Sequence, residues 1–572
     1  MKRSPKRALA PISTTLLIAG LLLGAPATAL GGETAQYVVV AEAGASAADV
    51  KRAITGAGGT ITASNNAIGT YTVTAAAEGF ILDVSASRAV LGATYAQRAI
   101  GQLPDSGPLK GADPEVEQLV QGPPEGGPGG PRHGGSTAGM DPLDGLLWGL
   151  AMVKSDLARA VNAGDRRVLV GVIDSGIDAS HPDLADQLET SLSRNFVTDI
   201  PAIDGACEVA SCVDPPTVDD SGHGTHVAGT VAAAANGLGV SGVAPGVRLV
   251  NIRGGQDSGY LFLGPVTNAL TYGADIGADV INMSFYVDPW LYNCTNNPAD
   301  SPEAQAEQRA IIEAMNRALG YAHSRNVTLV GSLGNNHEDL GHPRPDASSP
   351  DYPPGTAYLR TIDNATCVDL PVEGPHVIGI SALGPSTKKA DYSNYGVEQI
   401  SLSAPGGWFR DGFGTATYRT NDNLILSTYP LHLLQHDGLV DPAGNITPDG
   451  IGAGVQKDCD GQTCGYYAPL QGTSMASPHA TGVAALAVSR FGVKDPAHKG
   501  TLRLAPWKTE FILVNGAAEH ACPEPPLQTY TNEGRPAEFN ALCEGDLEFN
   551  GFYGSGIVDA YATVSEEFEF PD

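Results

Sequence analysis

The chain has 572 residues, 42% of them hydrophobic, enough to bury a sizeable core and to build about two to four domains. Its formal net charge of −30 would repel nucleic acid and an anionic membrane surface, so neither is an expected partner. The plain use of such an acid excess is solubility.

Lys2, Arg3, Lys6 and Arg7 form a basic head, Leu16 to Leu23 a short apolar stretch, and Ala27-Thr28-Ala29 an A-x-A cleavage site. These are the three parts of a secretory signal over residues 1–29, and the apolar stretch is too short for a permanent anchor. Export to the extracellular medium is the expectation. The eight cysteines, from Cys207 to Cys543, would then meet an oxidising environment. Eight cysteines allow 105 connectivities. Closeness in sequence favours Cys207 with Cys212, Cys459 with Cys464 and Cys522 with Cys543, which leaves Cys294 for Cys367. Zinc is the competing use, but no second pair stands at ligand spacing.

Residues 30–101 read as a small α+β unit, with strands at Gln36–Val40, Gly59–Ala63 and Thr70–Ala75 and a helix at Ser46–Gly56. Residues 102–142 are rich in Gly, Pro and acid and cannot bury enough apolar surface to fold. They read as a linker, and Arg132 invites proteolytic nicking. Signal, small unit, cleavable linker and large domain together have the layout of a zymogen. The alternative is a small binding domain on a tether.

From about residue 143 to 572 apolar strands alternate with small-residue helices, the pattern of a parallel α/β sheet. Strands are expected at Arg167–Asp174, Val247–Arg253, Asp279–Ser284, Val327–Leu333 and His376–Ala382. Helices are expected at His223–Ala235, Pro265–Gly277 and Glu303–Ser324, with long irregular segments at 200–219, 286–302, 336–375, 407–468 and 520–550. Ligand-binding groups in such sheets gather at the carboxyl ends of the strands, where Asp174, Ser284 and Asn335 fall.

Gln471 to His479, QGTSMASPH, reads as a serine presented at the start of a buried helix. Ser474 there meets free N–H groups and the positive end of the helix dipole, and Pro478 is expected in the first turn, where its missing N–H costs little. A lone serine in that position is ordinarily a cap. Asp174 ends an apolar strand, where a bare carboxylate is costly unless something donates to it. His223 begins an Ala- and Gly-rich helix, and His226 three residues along raises a metal pair as an alternative, though without the spacing or the glutamate of a zinc helix. Jointly, Asp174, His223 and Ser474 supply the nucleophile, base and orienting acid of a serine hydrolase.

GVIDSGIDASHPDL, DSGHGTHVAGTVAA, GVAPGVRLV, GADVINMS, GNN, LSAPG, GTSMASPHATGVAAL and YGSGIVDAYAT follow one another across roughly residues 143 to 565. This series resembles the subtilisin-like serine proteases, the subtilases. The resemblance implies a three-layer α/β fold with a central parallel sheet, preceded by an α+β propeptide over 30–101 that inhibits the mature enzyme. It implies Asp174, His223 and Ser474 as a catalytic triad working through an acyl-enzyme, and Asn335 as the side-chain donor of an oxyanion hole. It implies Ser284, Phe285, Gly331, Ser332, Leu333 and Gly334 as the backbone that lines the substrate, and a calcium loop of Asp183, Asn236 and the carbonyls of Leu238 and Val240. Protein or peptide substrates and its own propeptide are the implied partners of a monomer that needs no cofactor for its chemistry. One departure stands out: Phe285, Tyr286 and Val287 follow Ser284 where the family has small residues, so their side chains are expected to narrow the cleft. The rival readings are a peptide-binding pseudoprotease that does not cut, a maturation protease of narrow specificity, and an esterase. An esterase typically carries its serine in G-x-S-x-G, against G-T-S-M-A here.

Overall fold

The computed structural model describes residues 34–96, 141–285, 290–350 and 355–571, and the backbone of 99–102. The signal segment, nearly all of the linker, and Tyr286 and Val287 lie outside the described residues.

The N-terminal unit is β1 (Thr34–Ala41), α1 (Ala47–Gly56), β2 (Thr60–Asn65), β3 (Thr70–Ala76), α2 (Phe80–Ser85) and β4 (Val90–Tyr95), followed by β5 (Ala99–Gln102). Ser46 starts α1 by accepting the Asp49 N–H at 3.2 Å. The four longer strands form an antiparallel sheet in the order β2-β3-β1-β4. Tyr37, Val39, Tyr71 and Val73 point to one face and pack with Val50, Ile54 and Phe80 of the two helices. Val38, Val40 and Ile68 point the other way and join the core of the large domain.

The large domain opens with two short helices, α3 (Trp148–Met152) and α4 (Ser155–Arg159), and then follows β6 (Leu169–Ile173), β7 (Arg194–Asn195), α5 (His223–Ala232), β8 (Arg248–Arg253), β9 (Tyr260–Phe262), α6 (Leu263–Asp275), β10 (Val280–Met283), β11 (Asn293–Cys294), α7 (Pro302–Ser324), β12 (Thr328–Ser332), β13 (Cys367–Val368), β14 (Val377–Leu383) and β15 (Leu402–Pro405). Seven of these strands make one parallel sheet in the order β15-β14-β12-β10-β6-β8-β7. Side chains alternate along each strand. Val170, Val172, Leu249, Val280 and Val330 face a core that holds α5. Leu169, Ile173, Val250, Ile281 and Leu329 face a second core built with α6 and α7. The sheet is thus the middle layer of three, as the alternating pattern predicts.

The 407–468 segment departs from the irregular chain expected of it. It holds β16 (Ile425–Thr428), α8 (Leu431–His436), α9 (Pro448–Gly452), β17 (Gln456–Asp460) and the start of β18 (Thr463–Leu470), and the three strands form an antiparallel sheet over α5. Its tight hairpin is closed by the Cys459–Cys464 disulfide. Cys207–Cys212, Cys294–Cys367 and Cys522–Cys543 also pair as expected. The last large helix, α10 (Thr473–Phe491), is buried on all sides from Thr473 to Val488 and packs along α5.

Candidate active site

Strands β6 and β10 are neighbours, with Ile173 opposite Met283. The next residue on each strand is therefore at the same carboxyl edge, and these are Asp174 and Ser284, both fully buried. Asp174 Oδ1 lies 2.8 Å from His223 Nδ1 and accepts the Ser175 N–H at 2.8 Å. A carboxylate only accepts, so the His223 proton sits on Nδ1 and Nε2 is left as the basic atom. On the adjacent strand the Ser284 carbonyl accepts the Ser474 hydroxyl at 3.1 Å. Two helix starts, α5 with His223 and α10 with Ser474, are thereby held side by side.

Close approach at α5 depends on glycine. A Cβ on Gly224 would stand 2.1 Å from the Gly176 carbonyl and 3.1 Å from Asp174 Cβ. Behind the pair sits Asp219, a residue that the sequence reading did not single out. It accepts Gly222 N–H and Thr225 N–H at 2.9 Å, Thr225 Oγ1 at 2.6 Å and Ser175 Oγ at 2.9 Å. It caps α5 and ties it to the end of β6, and burial still pushes its carboxyl above the usual range.

Pro478 is not in the first turn: α10 begins at Thr473, which puts Pro478 inside the helix. Its missing N–H leaves the Ser474 carbonyl without the helical donor four residues on. Ser284 Oγ supplies the replacement at 3.0 Å, and Asn282 Nδ2 donates to that hydroxyl at 2.7 Å. Thr481 Oγ1 donates to Asn282 Oδ1 at 2.8 Å, so β10 and α10 are stitched through side chains. The only sequence signal for this was a polar Asn282 in an apolar strand.

Asn335 follows β12 and is turned by Thr473, whose N–H and hydroxyl reach its Oδ1 at 2.9 and 2.8 Å. A backbone N–H can only donate, so the amide oxygen faces Thr473 and the NH2 faces the other way. Asn394, also missed, fastens this loop: its Oδ1 accepts the N–H groups of Asn336 and Glu338 at 2.9 and 3.0 Å, and its Nδ2 donates to the Leu333 carbonyl at 3.0 Å. Gly334, at φ +101°, passes so close that a Cβ would lie 2.5 Å from Asn394 Nδ2. Ser332 Oγ donates to the Phe285 carbonyl at 3.4 Å and so bridges the two segments expected to line a substrate, Ser284–Phe285 and Gly331–Gly334. The Phe285 side chain is fully buried among the core residues that include Leu261 and Met283. It therefore does not narrow a cleft; apolar packing takes it below the surface.

The metal alternatives do not fit. His226 Nε2 donates to the Ile425 and Ala468 carbonyls at 3.0 and 3.1 Å, away from His223, and burial holds its pKa down to about 3. Asp183, Asn236, Leu238 and Val240 do come together, but around hydrogen-bond donors. Asp183 accepts Tyr467 OH at 2.8 Å, Val240 N–H at 3.3 Å and Asn236 Nδ2 at 3.2 Å. Asn236 turns its oxygen to the Leu238 N–H at 2.9 Å, so it offers nitrogen where calcium would need oxygen. The residues expected of a calcium loop thus surround a hydrogen-bonded buried carboxylate. Asp199, Glu208, Asp214 and Asp257 bring ligand atoms within 4.8 Å of one another. Buried Arg253 already stands among them, 2.7 Å from both Asp214 and Asp257.

Strand β5 of the N-terminal unit pairs antiparallel with β9, with Gly101 opposite Leu261 and Gln102 opposite Tyr260. β9 follows Gly254 and Gly255, whose N–H groups donate to the Asp174 carbonyl at 3.1 and 3.0 Å. The strand that leaves the N-terminal unit is thus added to the rim of the site.

The sequence profile of the subtilase family matches residues 165–503. Fervidolysin of Fervidobacterium pennivorans is 28% identical over 385 residues, 66% of this chain and 41% of that protein, so this chain spans about two fifths of fervidolysin. Subtilisin DY of Bacillus licheniformis is 26% identical over 344 residues, 60% of this chain and 85% of that one. The solved structure of the epidermin leader peptide processing serine protease of Staphylococcus aureus shares the fold, with a TM-score of 0.60 at 16% identity over 94% of this chain and 100% of that one. The matched residues span the sheet, both helix starts and Asn335: the chain belongs to the subtilase family.

Proposed function

We propose that this protein is a secreted serine endopeptidase, made as a zymogen, that hydrolyses peptide bonds through an acyl-enzyme. The observation that carries the reading is the shared edge of β6 and β10, where Asp174 with His223 and Ser284 with Ser474 stand on neighbouring strands. Ser474 Oγ attacks the peptide carbonyl and gives its proton to His223 Nε2. The carbon–nitrogen bond breaks as His223 returns that proton to the departing amine. Water then repeats the sequence on the ester. Asp174 keeps the imidazole in the Nδ1–H form and stabilises its cation. The Ser474 N–H and the Asn335 amide meet the oxyanion. Ser284–Phe285 and Gly331–Gly334 hold the substrate backbone, and no redox or nucleotide group is needed.

Residues 30–101 act as the inhibitory propeptide in this reading, supported by the pairing of β5 with β9. Maturation cleaves the chain within the linker, residues 102–142. A serine-directed fluorophosphonate should label the matured protein, and Ser474→Ala should abolish both labelling and self-processing. A Ser474→Ala protein that matured unaided and still cut casein would refute the assignment.

A further inference from the structure

Asp369 is 1% exposed, yet among the described residues neither of its carboxylate oxygens has a hydrogen-bond partner. It sits one residue beyond β13, which pairs with β11 through Asn293 opposite Val368 and the Cys294–Cys367 disulfide. Continuing that register places Asp369 across from Tyr292. The Tyr292 hydroxyl is also buried and, among the described residues, unpartnered. Asp369 and Tyr292 therefore stand opposite one another on the face of this strand pair that also carries Cys294 and Cys367, each with an orphaned polar group.

That place adjoins the substrate-lining backbone. Tyr292 and Cys367 pack in one cluster with Val372 and Leu333, and Leu333 is two residues from Asn335. A Cβ on Gly331 would meet Val377 at 2.9 Å and Val372 at 3.7 Å, so the 367–373 segment backs directly onto β12. The charged group that acts on Asp369 is another carboxylate, Glu373, which together with burial pushes the Asp369 carboxyl well above its usual range. The same carboxylates, with Glu338 and Asp339, raise the Tyr292 phenol after burial has done so. A buried carboxylate with no donor and a second acid beside it is poorly suited to stabilising a fold. It is well suited to an arriving cation that brings its own donors.

We propose that Asp369 is the specificity-determining residue of this protease, receiving the guanidinium or ammonium of an arginine or lysine on the acyl side of the cut bond, with the Tyr292 hydroxyl completing its hydrogen bonds. Arginine presents five donors in a planar fork and lysine three, enough for two carboxylate oxygens and a phenol oxygen. An apolar side chain would leave all of these unpaired, the arrangement that discriminates most strongly between substrates.

This inference rests on the serine endopeptidase reading, and the experiment separates the two. Full-length protein is expressed and matured, its active fraction is titrated with fluorophosphonate, and kcat/KM is measured on peptides that differ only in Arg, Lys, Leu or Phe before the scissile bond. Arg and Lys should exceed Leu by roughly 100-fold or more. Asp369→Asn and Asp369→Ser should each collapse that ratio by at least about 30-fold per titrated site. Failure of Ser474 to react refutes the endopeptidase reading itself. Normal titration with a preference for Leu or Phe, or an Arg preference that survives both substitutions, overturns the role of Asp369 alone.

Discussion

Asn335 Oδ1 accepts both the N–H and the hydroxyl of Thr473, the residue immediately before Ser474, at 2.9 and 2.8 Å. One residue thus starts α10 and fixes the orientation of the amide proposed to meet the oxyanion. Asn335→Ala should lower kcat by about 10²- to 10³-fold with little change in KM, because the donor matters only once the oxyanion forms. Thr473→Val keeps the shape and the N–H while removing the hydroxyl, so its loss should be much smaller, roughly 10-fold. Steady-state kinetics per titrated site tests both. A Thr473→Val loss as large as that of Asn335→Ala would mean that the hydroxyl does more than aim the amide.

Asn394 makes three side-chain hydrogen bonds to the loop that carries Asn335. Asn394→Ala would orphan two N–H groups and a carbonyl in a buried loop, costing roughly 1–3 kcal/mol of stability. As a positioning residue it should also lower kcat more than it raises KM. Asn394→Asp keeps the acceptor for Asn336 and Glu338 and loses the donor to Leu333, so it should recover part of the lost turnover. Urea unfolding in a Ser474→Ala background reads the stability, and kinetics in the active chain reads the split.

The central sheet was legible because each strand is short, apolar and bounded, and because side chains on β6, β8, β10 and β12 alternate between two apolar cores. Asp174, His223 and Ser474 were legible as chemically costly residues at element ends. Asp219, Asn282 and Asn394 were not, since polar residues in turns and strands have many ordinary uses and only their partners give these three a role. The surroundings of Asp183 were hidden for the same reason: spacing fixes which nearby residues meet, while the Tyr467 hydroxyl that reaches the carboxylate comes from 284 residues away. Phe285 misled because sequence does not say which side of a strand end faces the core.

The four disulfides close loops of very different length. Cys294 and Cys367 are 73 residues apart, whereas Cys207 with Cys212 and Cys459 with Cys464 are each separated by 5. Chain-entropy arguments give about 4 kcal/mol for the long loop and less for the short ones. Cys294→Ala with Cys367→Ala should therefore lower the urea midpoint most. It also frees the segment that carries Asp369, so any Arg preference should weaken with it, while Cys207→Ala with Cys212→Ala should leave that preference intact.

Burial, opposed mainly by the Tyr467 hydroxyl, raises the Asp183 carboxyl from 3.8 to about 7. The unfolded chain loses this proton near pH 4, whereas the folded protein keeps it until about pH 7. Between those values the folded state binds more protons than the unfolded one, so this group makes the protein less stable as pH rises. Asp183→Asn cannot titrate. The stability difference, parent minus variant, should fall by a few kcal/mol between about pH 5 and pH 7.5 and then level off. Urea unfolding at several pH values, again in the Ser474→Ala background, gives that difference. A flat line would mean that Asp183 is ionised at its ordinary pKa.

The N-terminal unit meets the large domain through a surface that can be broken at one residue. Gly92 of β4 faces α7, and a Cβ there would stand 3.1 Å from the Ala306 carbonyl and 3.3 Å from Ala310 Cβ. Polar contacts flank it: Arg317 Nη1 donates to the Ala41 carbonyl at 2.8 Å, and Asn65 Nδ2 donates to Asn268 Oδ1 and Thr271 Oγ1 at 2.9 Å. Gly92→Val adds branched bulk against a helix backbone that cannot yield, so β4 must lift and the flanking hydrogen bonds lengthen. The unit's own core lies on the opposite face, with Tyr37, Val39 and Val73, and should survive. In full-length Ser474→Ala protein nicked in its linker, the two pieces should elute together on gel filtration when Gly92 is present and separate when it is Val. Dissociation should be at least about tenfold easier, the effect of losing roughly 1.4 kcal/mol. Co-elution of the Val variant at the same concentrations would show that β5 on β9 is enough to hold the unit in place.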